Sequence, residues 1–198
     1  TPTLAGLSRA QRRSLAQHWT EAGRAEHASI AAFSRFALQL MALGAPADLV
    51  AEATRAMADE IKHTRLCLGV ASAVAGQEVG LGPIDIGGSM DGEVDPVVVL
   101  VDTIREGCIN ETICAAQAQA AYANSVDGEI RAALEGISTD EQRHSALAWR
   151  TVKWILSEHP HLNPLAQASF SEHLAAWSTS AVKQEEHELS AFGLQGAS

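Results

Sequence analysis

The chain has 198 residues, of which 46% are hydrophobic and only 5% aromatic. It is therefore long enough for one well-packed domain and too short for two large ones. The formal net charge of -10 argues against a nucleic-acid surface, and no apolar run approaches the roughly 18 residues of a membrane span. Because the start also lacks a signal-peptide pattern, we expect a soluble, cytoplasmic protein with neither a nucleic-acid nor a membrane partner.

The first predicted element is a long helix that begins after a lead-in of residues 1–9. Ser8 is a suitable N-cap, and Gln11 three residues later completes a capping box. The apolar periodicity continues to about Leu43. Glu26 interrupts the apolar stripe of this helix, so it is a charged residue on a face that is expected to be buried.

A second helix, from about residue 48 to 76, carries the sequence DEIKH at residues 59–63. Its Glu60 and His63 are three residues apart, which is about 300° of rotation in an α-helix. The carboxylate and the imidazole therefore stand on one face, one turn apart, and can bind one metal ion. Both lie on the apolar stripe, where a charged residue needs a partner.

Residues 76–96 contain six glycines and little periodicity, which predicts a long crossover between the second and third helices. The third helix is predicted to run from Pro96 to about Asn124. It offers two acidic candidates, Glu106 and Glu111, about 140° apart on an ideal helix. The stripe around Glu111 is more apolar, so we prefer it and keep Glu106 as an additional or alternative ligand. A π-bulge between them would bring the two closer.

The fourth helix, about 129–157, repeats the motif as DEQRH at residues 140–144, with Glu141 and His144 on one face. A third Glu-x-x-His match, beginning at Glu158, contains a proline and is discarded, since proline removes a helical donor. The remaining segment, 158–198, is predicted to hold a short amphipathic helix, about 164–178, and a polar, glycine-rich tail.

Residues 10–75 and 96–157 form a weak internal repeat, each with a long helix and then a helix that bears Glu-x-x-His. Buried carboxylates without partners are costly, whereas two divalent cations among four carboxylates and two neutral imidazoles leave a nearly neutral cluster. The repeat also places an aspartate before each motif glutamate. We hypothesise that Asp59 and Asp140 each accept a hydrogen bond from the imidazole on the opposite helix.

The order Glu, Glu-x-x-His, Glu, Glu-x-x-His over residues 10–157 resembles the ferritin-like di-iron carboxylate superfamily. The resemblance implies an all-α, ferritin-like four-helix bundle with a site for two iron ions, or for manganese or a mixed pair. The second Glu-x-x-His makes the chain more similar to bacterioferritin, rubrerythrin and di-iron oxygenases than to ferritins proper. The implied metal ligands are Glu26, Glu60, His63, Glu111, Glu141 and His144.

The three cysteines, Cys67, Cys108 and Cys114, are an odd number without C-x-x-C spacing. All three fall within helical patterns. We therefore expect small core residues rather than disulfides or metal ligands.

The function implied by the resemblance is a di-iron oxidoreductase that activates O2 or peroxide and oxidises or oxygenates a small organic substrate. Such an enzyme needs an electron donor, which the sequence does not identify, and assembly as a homodimer is compatible with the sequence. The main alternative is a ferroxidase or iron-handling protein. A non-catalytic helical interaction protein with a vestigial site is a third reading.

Overall fold

The structure of the chain is a computed structural model that describes residues 6–88 and 94–191, with side chains up to residue 177. Within these ranges every regular element is helical, which confirms the predicted all-α class. None of the helices in this part of the chain has both the length and the apolar character needed to cross a membrane.

The first two helices, α1 (Arg9–Ala42) and α2 (Ala47–Ala75), form a tightly packed helical hairpin. At its start the predicted capping box is present, with the Ser8 hydroxyl accepting from the Gln11 amide and the Gln11 side chain accepting from the Ser8 amide. The turn between the helices passes through Gly44 at a φ of 73°, which a residue with a Cβ rarely adopts.

The third rod is one continuous helical segment with a change of hydrogen bonding in its middle. It consists of α3 (Pro96–Asp102), a π-helical segment (Thr103–Asn110) and α4 (Glu111–Asn124). Asp95 caps its start, and Pro96 takes the first helical position, where no amide donor is needed. The π-helical segment overlaps the stretch between Glu106 and Glu111 in which the sequence makes a one-residue π-bulge conceivable, and it is longer than such a bulge.

The fourth rod, α5 (Gly128–Glu158), packs along the third rod and also against α2. Asp127 caps it by accepting hydrogen bonds from the amides of residues 129 and 130. A short 3-10 turn, Pro160–Leu162, then leads into α6 (Asn163–Ala191), which packs against α3 and the π-helical segment.

The predicted end of the C-terminal helix at about residue 178 is wrong, because α6 continues to Ala191. The sequence AVKQEEHELSA at residues 181–191 contains no glycine or proline and is rich in residues with high helix propensity. The fading apolar pattern that suggested a tail is therefore not a helix end. Residues 192–198 of the predicted tail lie outside the described part of the chain, as do residues 1–5 of the lead-in.

The predicted crossover is described in part, with no helix or strand at residues 77–88, while residues 89–93 lie outside the described ranges. It begins directly at the end of α2, where Gly76 adopts a left-handed conformation with a φ of 70°. A glycine in that conformation is a common helix stop.

Two buried apolar clusters flank the predicted ligand positions along the helices. On α2, Ala53 and Ala56 belong to the first cluster, and Cys67 and Ala71 to the second. The motif of α2, residues 59–63, lies between them and is itself buried at its acidic and imidazole positions. Its polar side chains therefore occupy a layer between two apolar ones.

Candidate metal centre

The six predicted ligands come together in two overlapping groups contributed by α1, α2, α4 and α5. In each group, one ligand atom per residue lies within 4.8 Å of those of the other members. The groups share Glu60 and Glu141, so these two carboxylates lie where the two groups overlap. The first group is Glu26, Glu60, His63 and Glu141, and the second is Glu60, Glu111, Glu141 and His144.

The cluster is buried in the interior, with Glu60 and His63 each 1% exposed, His144 3% and Glu141 4%. Several of its polar atoms have no hydrogen-bond partner among the described residues, namely Nδ1 of both histidines, Nε2 of His144 and Oε2 of Glu60. Buried polar atoms without a partner are costly. Their convergence is what a metal ion would satisfy, and four carboxylates with two imidazoles form a donor set that suits Fe(II) or Mn(II).

The histidines face the carboxylates through Nδ1. His63 Nδ1 lies 3.4 Å from Glu141 and 3.5 Å from Glu26, and His144 Nδ1 lies 3.1 Å from Glu60. Burial alone lowers the pKa of His63, but the facing carboxylates of Glu141, Glu26 and Glu60 outweigh it and raise that pKa to about 12. Burial likewise lowers the pKa of His144, yet the facing carboxylates raise it to about 11.

The four glutamates differ in the direction in which the site shifts their pKa values. Burial raises the pKa of Glu26 to about 7 and holds that of Glu111 well above its ordinary value. Burial also opposes ionisation of Glu60 and Glu141, but their contacts with both histidines are stronger and leave the pKa of each below its ordinary value. Without metal the cluster therefore approaches neutrality by holding protons, and metal ions must displace those protons to bind.

The predicted pairing of each imidazole with an aspartate of the opposite helix is present at His63. Its Nε2 lies 3.2 Å from Asp140 Oδ2, within hydrogen-bond distance. The second pair is looser, with His144 Nε2 3.7 Å from Asp59 Oδ2. Arg143 joins the two carboxylates, because its Nη2 donates to Asp140 and, at 3.2 Å, to Asp59. Nε2 of each histidine therefore faces one of two aspartates that Arg143 links to each other.

The two candidates of the third rod have different positions. Glu111 lies in the second ligand group, whereas Glu106 lies in neither. The Glu106 carboxylate instead accepts hydrogen bonds from Arg35 at 3.2 Å and Arg105 at 2.8 Å. The Glu111 amide donates to the Glu106 carbonyl, a π-type bond that places residues five apart on one side of the rod.

A cavity of about 460 Å³ adjoins the second ligand group. Residues 28–39 of α1, 102–114 of the third rod and 144–148 of α5 form its walls, and Glu111 and His144 line it directly. Phe33 also lines it and packs its ring against His144, with ring centroids 5.0 Å apart. A small organic molecule in this cavity would lie next to Glu111 and His144.

Two of the three cysteines are core residues as predicted, since Cys67 and Cys108 are buried. Cys114 is not a core residue, because it is exposed and lines the cavity. All three are free thiols.

Sequence reasoning missed three residues around the site. Arg143 could have been found, since it lies inside the second Glu-x-x-His motif. Phe33 lies seven residues after Glu26 on the predicted apolar stripe of the first helix, but the stripe did not indicate its contact with His144. Arg35 gave no signal, because its contact with Glu106 depends on how α1 packs against the third rod.

Comparison of the chain with protein-family models, curated proteins and solved structures finds no match.

Proposed function

We propose that this chain is a ferritin-like di-iron carboxylate protein whose four long helical rods form a four-helix bundle around two iron ions. The observation that carries the proposal is the pair of overlapping ligand groups that share Glu60 and Glu141. One acidic residue from α1, one from the third rod and a Glu-x-x-His from each of α2 and α5 match the donor arrangement of such centres.

The residues present fit two divalent cations better than one. Glu60 and Glu141 would help to hold both ions. Glu26 and His63 would hold the first ion, and Glu111 and His144 would hold the second. Four carboxylate charges balance two divalent cations when both imidazoles are neutral. Iron is the preferred metal for this hard-to-borderline donor set, with manganese or a mixed pair as the alternatives.

We further propose that the protein is an oxidoreductase acting on a small organic substrate, supplied with electrons by an external donor. Bound iron would supply the two-electron reduction of O2 or peroxide. The contribution of the chain is to fix the donors, to orient the His63 ring through Asp140, and to keep water out with the apolar clusters on either side. The cavity beside His144 gives a substrate a place to bind.

Anaerobic Fe(II) titration of the metal-free chain followed by exposure to O2 tests this proposal. We expect uptake of two irons per chain, and O2 consumption that stops when the bound iron is oxidised unless a reductant is added. Continued oxidation of many irons per chain would instead identify a ferroxidase, which is the main alternative. Absence of iron uptake would contradict both and favour a non-catalytic interaction protein.

The chain contains a matched control for the ligand substitutions. Glu60→Gln with His63→Ala should abolish uptake of both irons, since Glu60 belongs to both ligand groups. Glu158→Gln with His161→Ala alters the same residue types in the discarded Glu-x-x-His match, outside the cluster, and should leave the stoichiometry unchanged. Equal iron uptake by the two double variants would contradict the assignment.

A further inference from the structure

The cavity beside the metal centre has the size of a site for a small molecule and is elongated. Its volume of about 460 Å³ falls in the usual range for ligand pockets. The lining residues of α1 extend from Ala28 to Gln39, which corresponds to roughly 16 Å along the helix axis. A ligand in it would therefore be longer than it is wide.

Most of the cavity wall is apolar. The α1 side presents Ala31, Ala32, Phe33 and Phe36, and the opposite side includes Gly107 of the π-helical segment. The small residues leave the space open, and the two aromatic rings offer flat apolar surfaces. This part of the cavity suits an alkyl or aromatic body.

The polar part of the cavity is centred on Arg35. A guanidinium has five N–H donors. Among the described residues Arg35 makes one hydrogen bond, from Nη2 to Glu106 at 3.2 Å, and its side chain is 29% exposed. Arg35 therefore retains capacity to bind an acceptor on a ligand, and guanidinium groups match planar carboxylates in a two-point arrangement.

The neighbouring acidic groups do not favour a cation at the same place. Glu106 accepts hydrogen bonds from both Arg35 and Arg105, and Arg105 also donates to Asp102 at 2.8 Å. A cationic ligand would have to compete with two guanidinium groups for Glu106. The cavity also presents the amides of Gln39 and Asn110, which can donate to an anion.

We propose that the cavity binds a small carboxylic acid, with its carboxylate paired to Arg35 and its apolar body lying along α1 toward Glu111 and His144. This inference rests on the proposed function and names the class of its substrate. Arg35 belongs to neither ligand group, whereas Glu111 and His144 line the same cavity, so the apolar body rather than the carboxyl group would be oxidised.

Calorimetric titration of the full chain with octanoate and with 3-phenylpropanoate tests the inference, each compared with its neutral primary amide. The titrations are done on the metal-free chain and on the chain loaded with Mn(II) without O2. We expect saturable binding of at least one acid, about tenfold or more tighter than its amide, because hydrogen bonds to charged groups are the stronger ones.

The preference for acid over amide should disappear in Arg35→Gln and survive in part in Arg35→Lys. Arg150→Gln is the matched control, since it removes the same charge from an arginine that pairs with Asp48 and Glu52 outside the cavity lining. It should keep the full preference. Circular dichroism and thermal unfolding verify that each variant is folded.

Three results would overturn the inference: no saturable binding of either acid, equal binding of acid and amide, or an undiminished preference in Arg35→Gln. Failure of the proposed function gives a different result, because the unsubstituted chain would then take up no pair of metal ions. Arg35 is outside both ligand groups, so Arg35→Gln should still bind two metal ions.

Discussion

Asp140 is the residue outside the ligand set that most directly controls a ligand. Its carboxylate lies 3.2 Å from His63 Nε2, on the side of the ring away from the glutamates. A proton held on Nε2 by this contact leaves Nδ1 as the nitrogen that can bind metal. The hydrogen bond also fixes the orientation of the ring.

Asp140→Asn should weaken metal binding by about tenfold or more, because the amide is a poorer acceptor for the imidazole proton. Competition with a chelator of known affinity measures the effect. Asp59→Asn should act in the same direction, through the longer 3.7 Å contact with His144.

The control for both aspartates is Asp48→Asn. This change removes an exposed carboxylate that pairs with Arg150 and is not part of either ligand group. It should leave metal affinity unchanged. If Asp140→Asn binds metal as tightly as Asp48→Asn does, the role assigned to Asp140 is wrong.

At this scale, much of the cluster was readable from the sequence because the helical period of Glu-x-x-His places two donors on one face. The choice of Glu111 over Glu106 followed from the apolar stripe around Glu111, and the structure brings Glu111 into a ligand group. Arg35 was not readable, since its partner Glu106 is 71 positions away and no local pattern joins them.

Gly107 is the residue of the π-helical segment that allows the third rod to approach α5. A Cβ at this position would lie 2.4 Å from the Ala148 Cβ, far inside van der Waals contact. The two rods must therefore separate if residue 107 carries a side chain. Because Glu111 begins the next turn of the rod, such a movement would reach the second ligand group.

Gly107→Ala should destabilise the protein by about 1–3 kcal/mol, the usual range for overpacking, and should weaken metal binding. Chemical denaturation measures the change in stability, and metal titration measures the change in metal affinity.

Gly136→Ala is the matched control. Gly136 lies in α5, which packs against the third rod, and no atom lies within 4 Å of a Cβ added to it. It should stabilise the chain by about 0.5–1 kcal/mol through helix propensity. Similar losses in both variants would contradict the packing role of Gly107.

At the scale of elements, the starts of helices were predictable because the caps are local. Ser8, Asp95 and Asp127 each precede a helix and cap it through their own side chains. The length of α6 was not predictable from apolar periodicity, since residues beyond 178 lack a clear stripe and continue the helix through propensity. The extent of π-type hydrogen bonding depends on packing between rods, so the pattern around Glu106 and Glu111 indicated only part of its location.

At the scale of the whole molecule, metal binding and folding are linked through protons. The folded, metal-free chain has raised pKa values of about 12 at His63 and 11 at His144, above the ordinary value of 6.5. A group whose folded pKa is raised gives stability that is complete below the unfolded pKa and is lost as the pH rises toward the folded one. Glu26, with a pKa of about 7, adds a loss of the same sign from pH 4.5 upward.

The metal-free chain should therefore become less stable as the pH rises from about 6 to 9, while the metal-loaded chain should not. The increase in melting temperature on adding Mn(II) should grow over the same interval, because the protons that the metal displaces from the histidines are released more favourably as the pH rises. Thermal unfolding with and without a chelator at a series of pH values measures both trends.

A metal-induced increase in melting temperature that shrinks with rising pH would contradict the linkage. The double variant His63→Ala with His144→Ala should lose most of the pH dependence of stability in the metal-free chain.

Each motif aspartate lies beside the imidazole of the other half of the molecule. The halves are the hairpin of α1 and α2 and the hairpin of the third rod and α5. The histidine of the first hairpin is supported by an aspartate of the second, and the aspartate nearest the second histidine belongs to the first. Each half carries an acidic helix and an Asp-Glu-x-x-His helix, but neither holds the acceptor for its own ring. The centre therefore forms only where the two hairpins meet, and cutting the chain within residues 77–88 would leave each hairpin whole.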